Sequence, residues 1–206
     1  MEYKLKVAPG EYKITGPELV SFDKYKVGIT SLEMLVHSLK TVKEKDTYWQ
    51  WIYITLHSAV QAFMVLALSE KGSMPTYSEK SKKKRGKAKV ENKDLPGFRL
   101  DCFMSLYDKT KGDSIKFIPS GSQDWSISKL HDRRNDFVHY QNTASIMSLS
   151  ESPFAIMTDC LDYIEFLAFQ SNNIIWHDEQ YKTETEKLLA ECRSVIEASD
   201  KIVGGR

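Results

Sequence analysis

The sequence predicts an all-α protein, a bundle of five or six helices with an irregular N-terminal arm. Three observations favour this fold class. Apolar residues recur at spacings of three and four along most of the chain. Strand-like alternation is confined to the N-terminal arm, and no internal repeat is present. The chain has 206 residues, 41% hydrophobic and 28% charged, so it is long enough to bury one substantial core.

The N-terminal arm is predicted to span residues 1–29, and the helical domain residues 30–199. Glycines and a proline interrupt the short alternating runs of the arm. Thr30-Ser31-Leu32-Glu33 has the form of a capping box. In such a box the side chain of the first residue accepts the backbone N–H of the fourth, and the side chain of the fourth accepts the backbone N–H of the first. The first helix is therefore predicted to begin there and to end near Lys45.

The apolar run from Tyr48 to Leu68 predicts a second helix. Its length would suit a membrane span, but five polar residues interrupt it, and this favours a buried core helix: Gln50, Thr55, His57, Ser58 and Gln61. His57 and Gln61 lie one turn apart and are candidates for the lining of a cleft, although buried polar residues more often bond to neighbouring helices. The three cysteines are far apart and the N-terminus has no apolar signal segment, so a cytoplasmic protein is expected.

A basic insertion follows, over about residues 73–95. Between Lys80 and Lys93 there are eight basic residues and a single acid, Glu91, although the whole chain carries a net charge of only +1. Glycines, serines and the lack of apolar periodicity predict a flexible loop. Such a loop could attract a polyanion, and its RNA-contacting candidates are Lys82, Lys83, Lys84 and Arg85. The alternative is a solvated insertion without a specific role.

The remainder of the chain predicts further helices. Their boundaries follow from apolar spacing, from Lys111-Gly112 as a stop and from Pro153 as a first-turn residue. The predicted segments are a short helix over about 98–107, a helix over about 124–141, a helix from Pro153 to about Gln170, and a last helix from Gln180 to about Ser199.

The helix over about 124–141 carries the candidate chemistry. Arg134, Asn135 and His139 bring a permanent planar cation, an amide and a proton-transfer group into one short stretch. These residue types suit work on a phosphate group. Arg133 lies six residues before His139 and is an alternative phosphate contact, but Asn135 directly follows Arg134, which favours Arg134.

The stretch from Arg134 to His139 resembles the R-x4-6-H signature of the HEPN superfamily, in its R-N-x-x-x-H form. That resemblance implies a compact helical bundle with a variable insertion. Many HEPN proteins are metal-independent endoribonucleases, among them toxins held by antitoxins and anti-phage defence proteins. The resemblance implies Arg134 and His139 as catalytic residues, Asn135 as their polar neighbour, RNA as the substrate, and neither metal nor cofactor. Some HEPN toxins also carry a tyrosine two residues after the histidine, where this chain has Gln141.

RNA cleavage without a metal needs a base for the ribose 2′-OH, an acid for the leaving 5′-oxygen and a cation for the transition state. One histidine cannot serve as base and acid at the same moment. We therefore expect a homodimer that brings two copies of His139 and Arg134 into one cleft, as is typical of HEPN nucleases. On a regular helix, Arg134 and His139 lie about 140° apart. A local distortion, the reach of the arginine or the partner subunit would have to close that gap.

Three alternatives remain open from the sequence. The domain could be a HEPN-like module that binds RNA, a nucleotide or a protein without cleavage. The motif helix could be an ordinary solvated helix with local ion pairs between its arginines and aspartates. Asp132, Asp136 and His139, at i, i+4 and i+7, could also hold a metal ion. Phosphate-binding glycine loops, G-x-S-x-G and H-E-x-x-H are absent, which disfavours several large enzyme classes.

Overall fold

The structure is a computed structural model, and it describes residues 23–69, 74–139 and 153–204. The expected N-terminal arm lies largely outside these residues. Within them the protein is all-α, as predicted, with one isolated bridge between Tyr77 and Leu100 and no strand. The helices of these ranges are α1 Lys24–Thr41, α2 Tyr48–Ser69, α3 Glu79–Val90, α4 Phe103–Thr110, α5 Gln123–His139, α6 Pro153–Glu165 and α7 Glu179–Gly204.

Helix α1 begins earlier than the capping-box pattern at Thr30 predicts. Asp23 is the N-cap residue, and its carboxylate accepts a hydrogen bond from the N–H of Lys26 at 2.8 Å. Gly28 lies in the first turns of this helix, where a Cβ would stand 3.2 Å from the ring of Phe63. The close approach of α1 to α2 therefore explains why this helix contains a glycine.

Helix α2 is the centre of the bundle. It packs against α1, α4, α5 and α6, while α7 covers the other side of α1. By length and composition α2 could cross a membrane, but 67% of its most apolar window is buried inside the protein. Its apolar side chains form the core together with those of the surrounding helices. The prediction of a core helix is therefore confirmed.

The prediction of a flexible basic loop is wrong, because the insertion contains helix α3. Ser78 caps it by accepting the N–H of Ser81, and Glu79 in the first turn forms a 2.6 Å ion pair with Lys82. Lysine, arginine and alanine are good helix formers even without an apolar face. The segment therefore needs no hydrophobic periodicity to be helical, and this helix raises the number in the described residues above the five or six expected.

Polar contacts join the later helices. Tyr163 of α6 donates its hydroxyl proton to Thr110 of α4 at 2.8 Å, in a fully buried position. Asp159 of α6 accepts hydrogen bonds from the hydroxyls of Ser122 and Ser126 at the start of α5. The predicted helix from Pro153 to Gln170 ends in a π-helical turn, Phe166–Gln170. The two serine bonds to Asp159 fix α5, which carries the candidate residues, onto α6.

Candidate functional site

Helix α5 places Arg134 and His139 on different sides. The helix runs without interruption to His139, so the distortion that would bring the two residues together is not present. Arg134 is half-buried on the side that faces the bundle, whereas His139 is exposed. The roughly 140° separation of a regular helix therefore holds. A single chain does not bring the two residues together.

Arg134 instead starts a chain of hydrogen bonds across the bundle. Its Nη1 donates to Oδ1 of Asn135 at 3.0 Å. The Nδ2 of Asn135 lies 3.1 Å from Nε2 of His131, and Nδ1 of His131 lies 3.1 Å from Nε2 of His57. A guanidinium can only donate, so the amide oxygen of Asn135 must accept. Its NH2 group then donates to His131, and neutral His131 donates its Nδ1 proton to His57.

The two histidines share an aromatic contact with Phe103 of α4. The ring centroid of Phe103 lies 3.9 Å from that of His57 and 5.2 Å from that of His131, with the planes nearly parallel. His57 is only 4% exposed. Burial, then the charge of Arg134, and last His131 whenever it is protonated, lower the pKa of His57 from 6.5 to about 3. Burial also lowers the pKa of His131. Both rings are therefore neutral near pH 7, as the direction of the hydrogen-bond chain requires.

Neither His57 nor His131 was predicted as a member of this site. His131 precedes Asn135 by four residues, a spacing that places both on one helix face and could have revealed their contact. His57 was a candidate for a cleft lining, but only the packing of α2 on α5 brings it to His131. Gln61, its proposed companion, instead borders a cavity with Asp23 and Leu100.

The basic residues predicted to contact RNA have different surroundings. Lys82 is paired with Glu79, and Arg85 lies over the ring of Phe98 while donating to the carbonyl of Pro96. Lys83 and Lys84 are exposed on α3, and Arg133 is half-buried on α5. Lys82 and Arg85 are thus already engaged in contacts within the protein.

The metal alternative finds no support in the ligand geometry. Across the described ranges, no three His, Cys, Asp or Glu side chains stand close enough to hold a metal ion. Asp132, Asp136 and His139 therefore do not assemble a metal site there. Tyr140 and Gln141, the positions that follow the candidate histidine, lie outside the described residues.

Comparison with known proteins assigns no family. No family model, no curated protein and no solved structure matches this chain. The class that the fold defines is thus a helical bundle with a polar cluster and an exposed histidine, His139, on α5.

Proposed function

We propose that this protein is a metal-independent endoribonuclease of HEPN type that acts as a homodimer with a composite site. One observation carries the proposal: His139 is the histidine of α5 that a substrate can reach. It is exposed and makes no hydrogen bond or ion pair with another described residue. Both ring nitrogens of His131, by contrast, are engaged by Asn135 and His57.

His139 is the group suited to proton transfer. In one subunit it would take the proton of the ribose 2′-OH, whose oxygen then attacks the adjacent phosphorus. His139 of the partner subunit would give a proton to the departing 5′-oxygen. The products would be a 2′,3′-cyclic phosphate and a 5′-hydroxyl.

Arg134 is the group suited to stabilising charge at the phosphorus. Its guanidinium remains charged at any relevant pH and matches phosphate oxygens in shape. The bond to Asn135, which His131 in turn supports, restricts the positions of the guanidinium before substrate arrives. Such preorganisation lowers the cost of reaching the transition state. Asn135 and His131 are accordingly positioning residues.

The arrangement of α5 supports a dimer. Because one histidine cannot act as base and acid at the same moment, two copies of the helix have to approach each other to place two histidines at one phosphate. Trp125, at the other end of α5, is 45% exposed and lies about 40° from His139 around a regular helix. An exposed aromatic side chain on the side of His139 supports an interface there.

The test is cleavage of labelled RNA by the purified protein in EDTA, with analysis of the product ends. We expect cyclic phosphate ends from the wild type, and loss of cleavage by about 100-fold or more in Arg134→Ala and His139→Ala. Arg133→Ala removes the same charge one position away, and retention of most activity in this variant would assign the phosphate contact to Arg134 and not to the alternative Arg133. Absence of cleavage by folded, dimeric wild-type protein would contradict the proposal and favour the non-catalytic RNA- or protein-binding module.

An unrestrained ribonuclease would harm the cell that makes it. We therefore propose a role as a toxin or anti-phage defence component, with an antitoxin or regulatory partner. Wild-type protein should be harder to express than His139→Ala when no such partner is present. Equal growth of cells that express either form would contradict this role.

A further inference from the structure

The basic insertion folds into a cleft of defined shape. Helix α3 and the returning segment 93–100 run side by side, joined by hydrogen bonds from Ser78 N to Arg99 O at 3.1 Å and from Arg99 N to Ser81 Oγ at 3.0 Å. Between them lies a cavity of about 380 Å³, within the size range of ligand sites. We call it the basic cleft; it is lined by Ser78, Lys80, Ser81, Lys84 and residues 96–99.

Residues that do not line the cavity hold its walls in place. The ring of Phe98 stacks on Tyr77 at 4.2 Å between centroids, and the guanidinium of Arg85 lies 4.5 Å from the centre of the same ring. Arg85 also donates to the carbonyl of Pro96 at 2.8 Å. Lys109 of α4 donates to the carbonyl of Tyr77 and so ties the segment to the bundle. The cleft is therefore part of the folded protein.

The charge of the basic cleft is uncompensated. Lys80, Lys84 and Arg99 line it, all are exposed, and none forms an ion pair with another described residue. The acids of α3 and its end are already paired, Glu79 with Lys82 and Glu91 with Lys87 and Lys93. No acid lines the cavity. Three like charges around one cavity repel each other, and a bound polyanion would relieve that repulsion.

The basic cleft also lies close to the candidate catalytic helix. Arg99 and Phe103 are four residues apart, so their Cα atoms are separated by at most about 14 Å. The ring of Phe103 is stacked on His131 of α5, three residues before Arg134. His139 lies eight residues, or about 12 Å, beyond His131 along α5. An extended RNA strand of several nucleotides is long enough to span such a distance.

We propose that the basic cleft binds phosphodiester groups of the RNA strand that is cut at α5. Lys80, Lys84 and Arg99 neutralise the phosphates, and Ser78, whose oxygen already accepts the N–H of Ser81, donates its hydroxyl proton to a phosphate oxygen. The proposal rests on the proposed ribonuclease function. General attraction by a basic segment would depend on all of its cations alike, whereas this proposal assigns RNA binding to Lys80, Lys84 and Arg99.

The test compares two triple variants that remove the same charge. One changes the cleft cations, Lys80→Gln, Lys84→Gln and Arg99→Gln. The control changes three exposed lysines of α3 that do not line the cavity, Lys83→Gln, Lys87→Gln and Lys89→Gln. Both triples also carry His139→Ala, so that RNA is not cut, and binding of a fluorescent single-stranded RNA is followed by anisotropy at several salt concentrations.

At 200 mM salt we expect the cleft triple to bind RNA at least 10-fold more weakly than the His139→Ala parent, and the control triple less than 3-fold more weakly. Single-strand binding loses about 0.7 in salt slope per lost phosphate contact, so three contacts correspond to about 2. Between 50 and 200 mM salt the parent should therefore lose about 20-fold more affinity than the cleft triple. Equal weakening by both triples, with folding confirmed by circular dichroism, would overturn the proposal.

Binding and cleavage can fail separately. If the wild type cuts RNA while the two triples bind alike, the basic cleft is not the RNA site and the ribonuclease function stands. If the parent binds RNA through the cleft but the wild type does not cut, the ribonuclease function fails, and the cleft proposal is also overturned in its claim that the bound strand is the substrate.

Discussion

Buried His57 should make the stability of the bundle fall when the pH drops below neutrality. In the unfolded chain its pKa is the ordinary value near 6.5, whereas the folded protein lowers the pKa to about 3. Between these values the unfolded state binds a proton that the folded state does not. The free energy of unfolding therefore decreases as the pH falls from about 6.5 to about 3, and it is unaffected by this group above 6.5.

At any pH well above the pKa of His57 in the folded protein, the loss in the free energy of unfolding depends only on its pKa in the unfolded chain. At pH 5, 1.5 pH units below 6.5, protonation of the unfolded chain costs about 2 kcal/mol of stability through His57. For a chain of this length, that corresponds to a decrease in Tm of about 4–8 °C between pH 7 and pH 5.

The assay is denaturant unfolding at pH 7 and pH 5, for the wild type and for His57→Gln. Glutamine has no titrating group, and its carbonyl oxygen can accept the proton that His131 donates. Because the other titrating groups are common to both proteins, the difference between their pH effects isolates His57. We expect the variant to lose about 2 kcal/mol less than the wild type over this range. An equal loss in both proteins would refute the idea that His57 is held neutral in the fold.

Two further predictions concern helix α5. Ser126→Ala should lower the free energy of unfolding by about 1.5–3 kcal/mol, because its buried hydroxyl donates to the carboxylate of Asp159. Ser122 donates to the same carboxylate from the exposed side, so Ser122→Ala should lower the free energy of unfolding by less than about 1 kcal/mol. Similar losses in both variants would contradict this. Asn135→Asp should raise the pKa of His131 by about 1 to 3 pH units, since a carboxylate favours the imidazolium; an NMR titration without such a rise would argue against the contact.

The sequence predicts the helical class because apolar periodicity reports directly on which faces are buried. It places the start of α1 wrongly, since the capping-box pattern at Thr30 lies inside a helix that Asp23 already caps. It also misses α3, because that helix depends on residue propensity and on the Ser78 cap and shows no apolar face. The capping-box pattern and the apolar periodicity are both local signals, and contacts with the rest of the structure can override either of them.

Some residues of the candidate site can likewise be predicted from the sequence, and others cannot. Arg134, Asn135 and His139 are close in sequence, so a motif is enough to propose them. The contact of Asn135 with His131 follows from helical spacing. His57 is 74 residues away from His131, and only the packing of α2 on α5 determines that the two rings meet. Interactions between distant segments of the chain were beyond prediction from a single sequence.

The activity of a mixed dimer tests the shared site most directly. Wild-type and His139→Ala chains with two different tags are co-expressed, purified through both tags, and assayed for RNA cleavage in EDTA. A composite site that needs both histidines predicts that the mixed dimer is at least about 100-fold less active than the wild-type dimer. Half of the wild-type activity would show that each chain cuts alone, and would contradict the shared site.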